Sequence, residues 1–390
     1  MEFIKNLSSR SILLIIHQLS MLIIVIYLGN QLDLASFGFV SSALIFYQIS
    51  YLFTEWGFSI DSLKKINTSN LNHKIISNIL ISKFLIFLVI LLIFFTFELN
   101  LLFHSAFLLE SLFLAIFISS FNNLWLFQAI NKSELLIIPT LIGRLLGLII
   151  IFLLVKDPLD IYIVFISQSI AFSFAILYGY FFLFNKLKFK FIFSIRDAIK
   201  YLRESSSIFI ATLFQNNIHS LWVFAFSLTI NHIQIGYLNL ADNLIKAGSA
   251  FNTALTETMI TNKFGRKSNK VLMSLIILLI LFSVFGILFL ENVIDLIFEG
   301  KFNDALPILK LTIISWLLMS INKIIGYPIL GEHFSYKFVN NVTYFFALIN
   351  ILVLLIIVFF YKINLIVISA IFLLLTALNT IYLTFKNLTK

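Results

Sequence analysis

The sequence predicts an all-α polytopic membrane protein with about 12 transmembrane helices. Of its 390 residues, 61% are hydrophobic and only 12% are charged, and 46 are phenylalanine. No water-soluble domain of this length can hide so much apolar surface, so the bilayer must be the solvent. Because the chain has only 13 glycines and 4 prolines, we expect the spans to be mostly continuous helices.

Twelve apolar runs are long enough to cross roughly 30 Å of hydrocarbon. In chain order the predicted spans are 11–28, 36–57, 76–97, 101–128, 135–155, 161–184, 206–230, 234–259, 271–290, 305–330, 338–360 and 364–384. No long soluble domain interrupts them.

The distribution of lysine and arginine predicts the orientation of these spans. If the N-terminus is cytoplasmic, 19 of the 27 basic residues fall on the cytoplasmic side, 3 fall on the other side and 5 lie within spans. This asymmetry predicts that both termini are cytoplasmic. It also accounts for the net charge of +9 without nucleic acid as a partner.

The longest basic connection, 185–205, lies near the middle of the chain. It contains RDAIKYLRE, an amphipathic helical pattern that we expect to rest on anionic headgroups. This linker separates a predicted N-terminal six-helix lobe, 1–184, from a C-terminal six-helix lobe, 206–390. The tetrads SFNN and SINK recur 200 residues apart in the two halves, which favours a duplicated unit with the substrate site between the repeats.

Arg144 lies near the middle of the fifth predicted span. A guanidinium keeps its proton, so this placement costs at least roughly 2.5–3.5 kcal/mol unless the charge faces protein or water. A hairpin about Lys132 puts Arg144 level with Asn122 and Asn123 and leaves Glu110 too far away to pair with it. Arg144 either forms a structural ion pair with a distant helix or binds an anion in a water-filled cavity, and we favour the second interpretation.

Other charges in the spans also bear on such a cavity. Asp242 and Lys246 are four residues apart with the acid first, the favourable order for a helical ion pair. They either neutralise each other, or Lys246 faces the cavity as a second anion-binding charge that Asp242 tunes. Snorkelling to the headgroups is the simplest interpretation of Lys310 and Lys323, which lie toward opposite ends of the tenth span, and Lys323 is the better cavity candidate of these two. Lys83, near the cytoplasmic end of the third span, is expected to snorkel as well.

Polar clusters occur in corresponding spans of the two predicted halves. The first span carries His17 and Gln18, and the seventh carries Gln215, Asn216 and His219. Hydrogen bonding between helices explains such groups. The alternative is that they line a shared cleft for sugars or protons.

The sequence excludes several classes of chemistry. There is no cysteine, no phosphate-binding glycine loop, no HExxH and no GxSxG, and the six histidines are scattered. We therefore predict no enzyme activity, no cofactor and no metal site. Without a soluble nucleotide-binding domain, an ATP-driven pump is also excluded.

The segment from Trp125 to Asp160 resembles O-antigen repeat-unit flippases of the Wzx type, in the multidrug/oligosaccharidyl-lipid/polysaccharide exporter superfamily. The family pattern is W-x-F-Q-G-x-E, an apolar run, an arginine and F-x-x-V-x-x-P-x-D. It is matched here at Trp125, Phe127, Gln128, Arg144, Val155, Pro158 and Asp160. Ala129 and Asn131 depart from its glycine and acid. Segments 37–66, 236–259 and 298–330 are also similar to the family, in order.

The resemblance implies two six-helix lobes around a cationic central cavity and translocation of undecaprenyl-diphosphate-linked oligosaccharide by alternating access. It further implies a bacterial inner-membrane location, a role in O-antigen or capsule synthesis, and contact with membrane lipid and with the polysaccharide polymerase and chain-length machinery. A drug/cation antiporter of the same superfamily is one alternative. A polymerase or ligase is another, but the outer loop at 291–304 is too short for a catalytic module.

Overall fold

The computed structural model describes residues 2–66, 72–96, 105–216, 218–261, 269–325, 336–360 and 364–388. Within these ranges the chain forms helices joined by short connections, and no strand occurs. The helices are α1 (Glu2–Gln31), α2 (Leu34–Glu55), α3 (Phe58–Lys65), α4 (His73–Thr96), α5 (Ala106–Ser120), α6 (Leu124–Ala129), α7 (Ile137–Leu154), α8 (Ile161–Asn185), α9 (Ile195–Asn216), α10 (Ile218–Ser227), α11 (His232–Thr261), α12 (Asn269–Phe298), α13 (Leu306–Ile324), α14 (Tyr336–Phe360) and α15 (Leu365–Leu388). The predicted all-α polytopic membrane fold is confirmed.

Nine helical segments in the described ranges are long and apolar enough to cross a membrane. They correspond to the first six predicted spans and to the ninth, tenth and twelfth. The other three predicted spans fall on α9 with α10, on α11 and on α14, helices in which several side chains lie outside the description. Large apolar side chains on the helix surfaces, such as Leu92 at 68% exposed and Leu153 at 67%, suit contact with lipid rather than water.

The chain divides into two compact units. Unit 1 contains Met1–Ser20 and Ala43–Asn216, and unit 2 contains Met21–Ser42 and Asn217–Lys390. The second half of α1 and the first part of α2 therefore belong to the same unit as the C-terminal half of the chain. The lobe boundaries at 184 and 206 stay a prediction.

Within unit 2, two contacts hold the turn between α1 and α2. Gly38 touches the start of α11, because a Cβ at this position would lie within 2.2 Å of the carbonyl carbon of His232. Lys301 donates to the carbonyl of Gly29 at 2.8 Å. The carbonyls at the end of α1, which have no partner inside the helix, are thus capped by a cation.

Within unit 1, the second predicted span ends in a turn that leads into a further short helix, and the fourth predicted span is broken in its interior. Trp56 and Gly57, with φ of 42° and 70°, form a left-handed turn between α2 and α3. The fourth span breaks at 121–123, between α5 and α6. Neither proline nor glycine causes this second break. Instead the Asn122 Oδ1 accepts a hydrogen bond from the Leu124 backbone N–H at 3.2 Å, a local bond that competes with the helix.

The predicted linker is not separate from the span that follows it. Its amphipathic half continues without interruption into the next apolar run to form α9. One stripe of α9, including Ala198, Tyr201 and Ser205, is buried. These positions repeat every three or four residues, so a single helical face packs against unit 1.

Candidate functional site

Two glycines bring α7 and α8 into close contact. A Cβ at Gly143 would lie 2.4 Å from the carbonyl oxygen of Ala171, and a Cβ at Gly147 would lie 3.0 Å from that of Ser167. Their spacing of four residues is the small-xxx-small pattern that allows membrane helices to approach closely. Arg144 follows the first glycine and is therefore placed beside the polar side chains of α8.

Arg144 is only 4% exposed and has three contacts that hold its guanidinium. One terminal nitrogen donates to the Gln168 Oε1 at 2.9 Å, and the other lies 2.5 Å from the His17 Nδ1. The guanidinium carbon lies 4.4 Å from the centre of the Phe172 ring, a cation–π contact. Sequence analysis anticipated Arg144 and His17 separately, and the structure brings them together.

These contacts fix the protonation state of His17. A guanidinium only donates hydrogen bonds, so the His17 Nδ1 must accept, and the imidazole must be neutral with its proton on Nε2. None of the carboxylates in the described residues pairs with Arg144. The Arg144 Nε is buried and has no hydrogen-bond partner among the described residues. Arg144 therefore keeps its charge, and its buried Nε–H is a donor that these contacts do not use.

A second buried cation, Lys83, lies at the helix break. Its side chain is 0% exposed, and its Nζ lies 2.5 Å from a Glu55 carboxylate oxygen. It also donates to the backbone carbonyl of Asn122 at 3.2 Å, an acceptor that the break leaves free. The prediction that Lys83 snorkels to the headgroups is wrong, because Glu55 and this carbonyl supply partners inside the protein.

Tyr51 connects the two cations. Its hydroxyl accepts from the Asn122 Nδ2 at 2.9 Å. Its ring lies 6.4 Å from the His17 ring and 5.6 Å from the Phe172 ring, between centroids. We call the resulting set of side chains the Arg144 cluster: His17, Tyr51, Asn122, Arg144, Gln168 and Phe172. Arg144 and Asn122, predicted to lie level with each other, thus belong to one cluster. Tyr51 and the rings of His17 and Phe172 lie between them.

Asn123 and Gln18 flank this cluster without a contact to Arg144. The Asn123 Nδ2 donates to the carbonyl of Ile176 at 3.1 Å. The Asn123 amide packs directly against Gly179 of α8, where a Cβ would lie only 2.0 Å from that nitrogen. Gln18 is half-buried on α1. The geometry indicates a packing role for Asn123.

Unit 2 contains a separate ionic cluster around Asp242. This carboxylate is 1% exposed and lies 2.6 Å from the Lys246 Nζ and 2.8 Å from the His219 Nδ1. The Ser220 hydroxyl donates to it at 3.0 Å. The geometry supports the interpretation that Asp242 and Lys246 neutralise each other. His219 is a further partner of the same carboxylate.

The remaining predicted site residues are Lys323, Gln215 and Asn216. Lys323 is half-buried in the last turn of α13. The side chains of Gln215 and Asn216 lie outside the described residues. No group of three or more histidines, cysteines or acids that could hold a metal occurs in the described part of the chain.

Sequence reasoning missed Gln168, Tyr51 and the glycine pair. Gln168 is a lone amide in an otherwise apolar span, the same kind of signal that singled out His17. The glycine spacing was also visible in the sequence. Tyr51 gave no such signal, because tyrosines are common throughout this chain.

Comparisons with known proteins agree with this architecture. A family model described as polysaccharide biosynthesis protein matches residues 3–260. No curated protein matches the chain.

Two solved structures share the fold. A structure of the lipid II flippase MurJ in an inward closed conformation has a TM-score of 0.72 at 15% identity, covering 95% of this chain and 85% of that one. An inward-facing MATE multidrug resistance transporter of the MOP superfamily has a TM-score of 0.63 at 13% identity, covering 95% and 94%.

Proposed function

Because the chain belongs to the polysaccharide biosynthesis protein family, we propose that it translocates undecaprenyl-diphosphate-linked oligosaccharide repeat units from the cytoplasmic to the periplasmic leaflet. Translocation occurs by alternating access and serves O-antigen or capsule and exopolysaccharide synthesis. The observation that carries this proposal is a buried guanidinium whose hydrogen-bond partners are neutral. The similarity to a lipid II flippase concerns the fold and is consistent with this role.

The chemistry of the substrate matches the Arg144 cluster. A diphosphate is an anion that a guanidinium can bind through two parallel hydrogen bonds. Gln168 and His17 occupy the terminal nitrogens of Arg144 as neutral acceptors, so an anion can replace either one with a gain in Coulomb energy. A carboxylate partner would oppose that exchange. This difference separates a binding arginine from a structural one.

The other members of the cluster suit the sugar part of the substrate. Asn122 and Tyr51 present an amide and a phenol, groups that hydrogen-bond to hydroxyls. The polyprenyl tail can stay in lipid, against the apolar helix surfaces. The other residues singled out by the sequence, Lys246, Asp242, His219, Lys323, Gln215, Asn216 and Gln18, stay secondary candidates for substrate contact.

The cellular setting follows from this assignment. The protein acts in the bacterial inner membrane with both termini in the cytoplasm, as the basic loops predict. The polymerase and the chain-length machinery are its expected partners, because they use the oligosaccharide on the periplasmic side.

The test replaces Arg144 in the full-length protein. Arg144→Ala should abolish flipping of lipid-linked oligosaccharide in proteoliposomes and surface polysaccharide in a deletion strain, while the protein still reaches the membrane. Arg144→Lys should restore flipping only in part, since it keeps the charge but loses the planar fork. Lys156→Ala, which removes an exposed cation, is the control and should flip normally. Normal flipping by a folded Arg144→Ala variant would rule out the anion site.

A further inference from the structure

The structure shows which charges of α9 are engaged by neighbouring helices and which are not. Both acidic residues of its amphipathic first half are paired with lysines of the neighbouring helices. Asp197 lies 2.9 Å from the Lys74 Nζ on α4, and Glu204 lies 3.5 Å from the Lys65 Nζ on α3. Hydrogen bonds from Lys74 and Ser194 also hold the pKa of Asp197 below its usual value, so this acid stays ionised beside its lysine.

The basic residues of the same helix lie farthest from its buried stripe. Arg196, Lys200 and Arg203 are spaced three or four residues apart and are exposed. None of them forms a salt bridge with a carboxylate of the described residues, although Lys200 is near enough to Asp197 to help lower the pKa of that carboxyl. They form a cationic row along one line of the helix.

An apolar row runs directly beside this cationic row. Ile195 and Ile199 are 45% and 55% exposed, and Ile210 continues the row at 43%. The chain just before α9 adds Phe193, which is 70% exposed. Exposed aliphatic and aromatic groups next to a row of cations are what a helix presents when it lies at a lipid–water interface.

The opposite face of α9 is tied to the α2–α3 turn and to α4. The Trp56 Nε1 donates to the Leu202 carbonyl at 3.1 Å, and the Trp56 ring stacks on Phe209 at 4.2 Å between centroids. The Ser82 hydroxyl donates to the Ala198 carbonyl at 3.1 Å. Ser82 precedes Lys83 in the chain, and Trp56 follows Glu55. The helix α9 is therefore hydrogen-bonded to a sequence neighbour of each member of the buried Lys83–Glu55 ion pair.

We propose that the outer face of α9, formed by Arg196, Lys200, Arg203, Ile195 and Ile199, binds anionic phospholipid and thereby holds the α2–α3 turn in place. The headgroup phosphates contact the cationic row, and the acyl chains contact the isoleucines. Charge complementarity identifies the occupant, because the two acids of this segment are engaged by lysines of α3 and α4, which leaves the outer face with a net positive charge. The protein is then more stable in membranes that contain anionic lipid.

The experiment measures the thermal unfolding midpoint of the purified full-length protein in neutral detergent as phosphatidylglycerol is added. Phosphatidylglycerol should raise the midpoint, and phosphatidylcholine should raise it far less. The variant Arg196→Gln/Lys200→Gln/Arg203→Gln should have an apparent affinity for phosphatidylglycerol that is weaker by on the order of 100-fold. The matched control is Lys263→Gln/Arg266→Gln/Lys267→Gln, which removes the same charge from another basic segment and should respond like the wild type.

Two further measurements distinguish the contribution of the lipid headgroup from that of the acyl chains. Soluble glycerol phosphate should give no rise, whereas Ile195→Ser/Ile199→Ser should weaken the response to the whole lipid. The conservative variant Arg196→Lys/Arg203→Lys keeps the charge and should retain the response. An equal rise with phosphatidylcholine, or a triple glutamine variant that matches its control, would overturn the proposal. The measurement involves no transport, so its outcome is independent of the proposed function.

Discussion

At the scale of single residues, the partners of Arg144 decide what it can do. A buried guanidinium without hydrogen bonds would be very unfavourable, and Gln168 and His17 offset part of that cost through hydrogen bonds to a charged group, each worth about 1.5–3 kcal/mol. Neither partner cancels the charge. The residue is held in position and is still able to attract an anion.

A substitution at Gln168 separates the two possible roles of this arginine. Gln168→Glu puts a carboxylate where the amide oxygen now lies 2.9 Å from Arg144. We expect the thermal midpoint to be kept or raised and substrate affinity to fall by about 10- to 100-fold, because the substrate must now displace an ion-pair partner. Binding of lipid-linked oligosaccharide, measured beside flipping, tests this. Gln168→Met is the control, which should lose stability but keep an unneutralised arginine. Wild-type binding by Gln168→Glu would show that Arg144 is structural.

At the scale of helices, the break between α5 and α6 depends on Lys83. This lysine joins α2, through Glu55, to the carbonyl that the break leaves free on Asn122. Removing one member of a buried ion pair leaves an uncompensated charge, which is more damaging than removing both.

Lys83→Met should therefore lower the free energy of unfolding by about 3 kcal/mol, and adding Glu55→Gln should recover most of the loss. Unfolding by SDS in mixed micelles measures both values. Lys74→Met, which breaks the exposed pair with Asp197, should change stability little. If the single and double variants lose the same amount, the ion pair does not support the break.

The contact between α7 and α8 can be tested with a pair of glycines. Gly143→Ala places a methyl group 2.4 Å from the Ala171 carbonyl oxygen, so the helices must separate. We expect a loss of about 1–3 kcal/mol and reduced flipping, because Gln168 moves away from Arg144. Gly286→Ala is the control, since the nearest atom to its added Cβ is 3.7 Å away on Ile313. In SDS unfolding, equal effects of the two variants would contradict the close-contact explanation.

At the scale of the whole molecule, hydropathy predicts where the helices lie. It does not predict the features that depend on polar side chains, such as the helix break at Asn122 and the partners of Lys83. Apolar runs must be helical in a bilayer because their backbone groups have no other partners. The break at Asn122 escaped prediction, since no proline or glycine marks it and the amide acts through its own backbone. Lys83 was misassigned because its position near a span end suited snorkelling, whereas its partner, Glu55, lies on another helix. The free-energy cost of a charge in the middle of a span singles out Arg144 in the sequence. Its neutral partners cannot be predicted in this way, because they depend on how the helices pack.

The orientation of the whole chain is open to a direct test, because the protein has no cysteine. Single cysteines can be introduced without first removing native ones. Leu159→Cys lies in the connection before α8 at 88% exposed, and Lys132→Cys lies in the exposed turn after α6.

The excess of basic residues on one side predicts that Leu159→Cys reacts in intact cells with a maleimide that cannot cross the inner membrane. Lys132→Cys should react only after the membrane is permeabilised. The two positions flank one span, α7, so they must label from opposite sides if that helix crosses the bilayer. Labelling of both from the same side would contradict the span. The reverse pattern would place the basic loops, and the outer face of α9, in the periplasm.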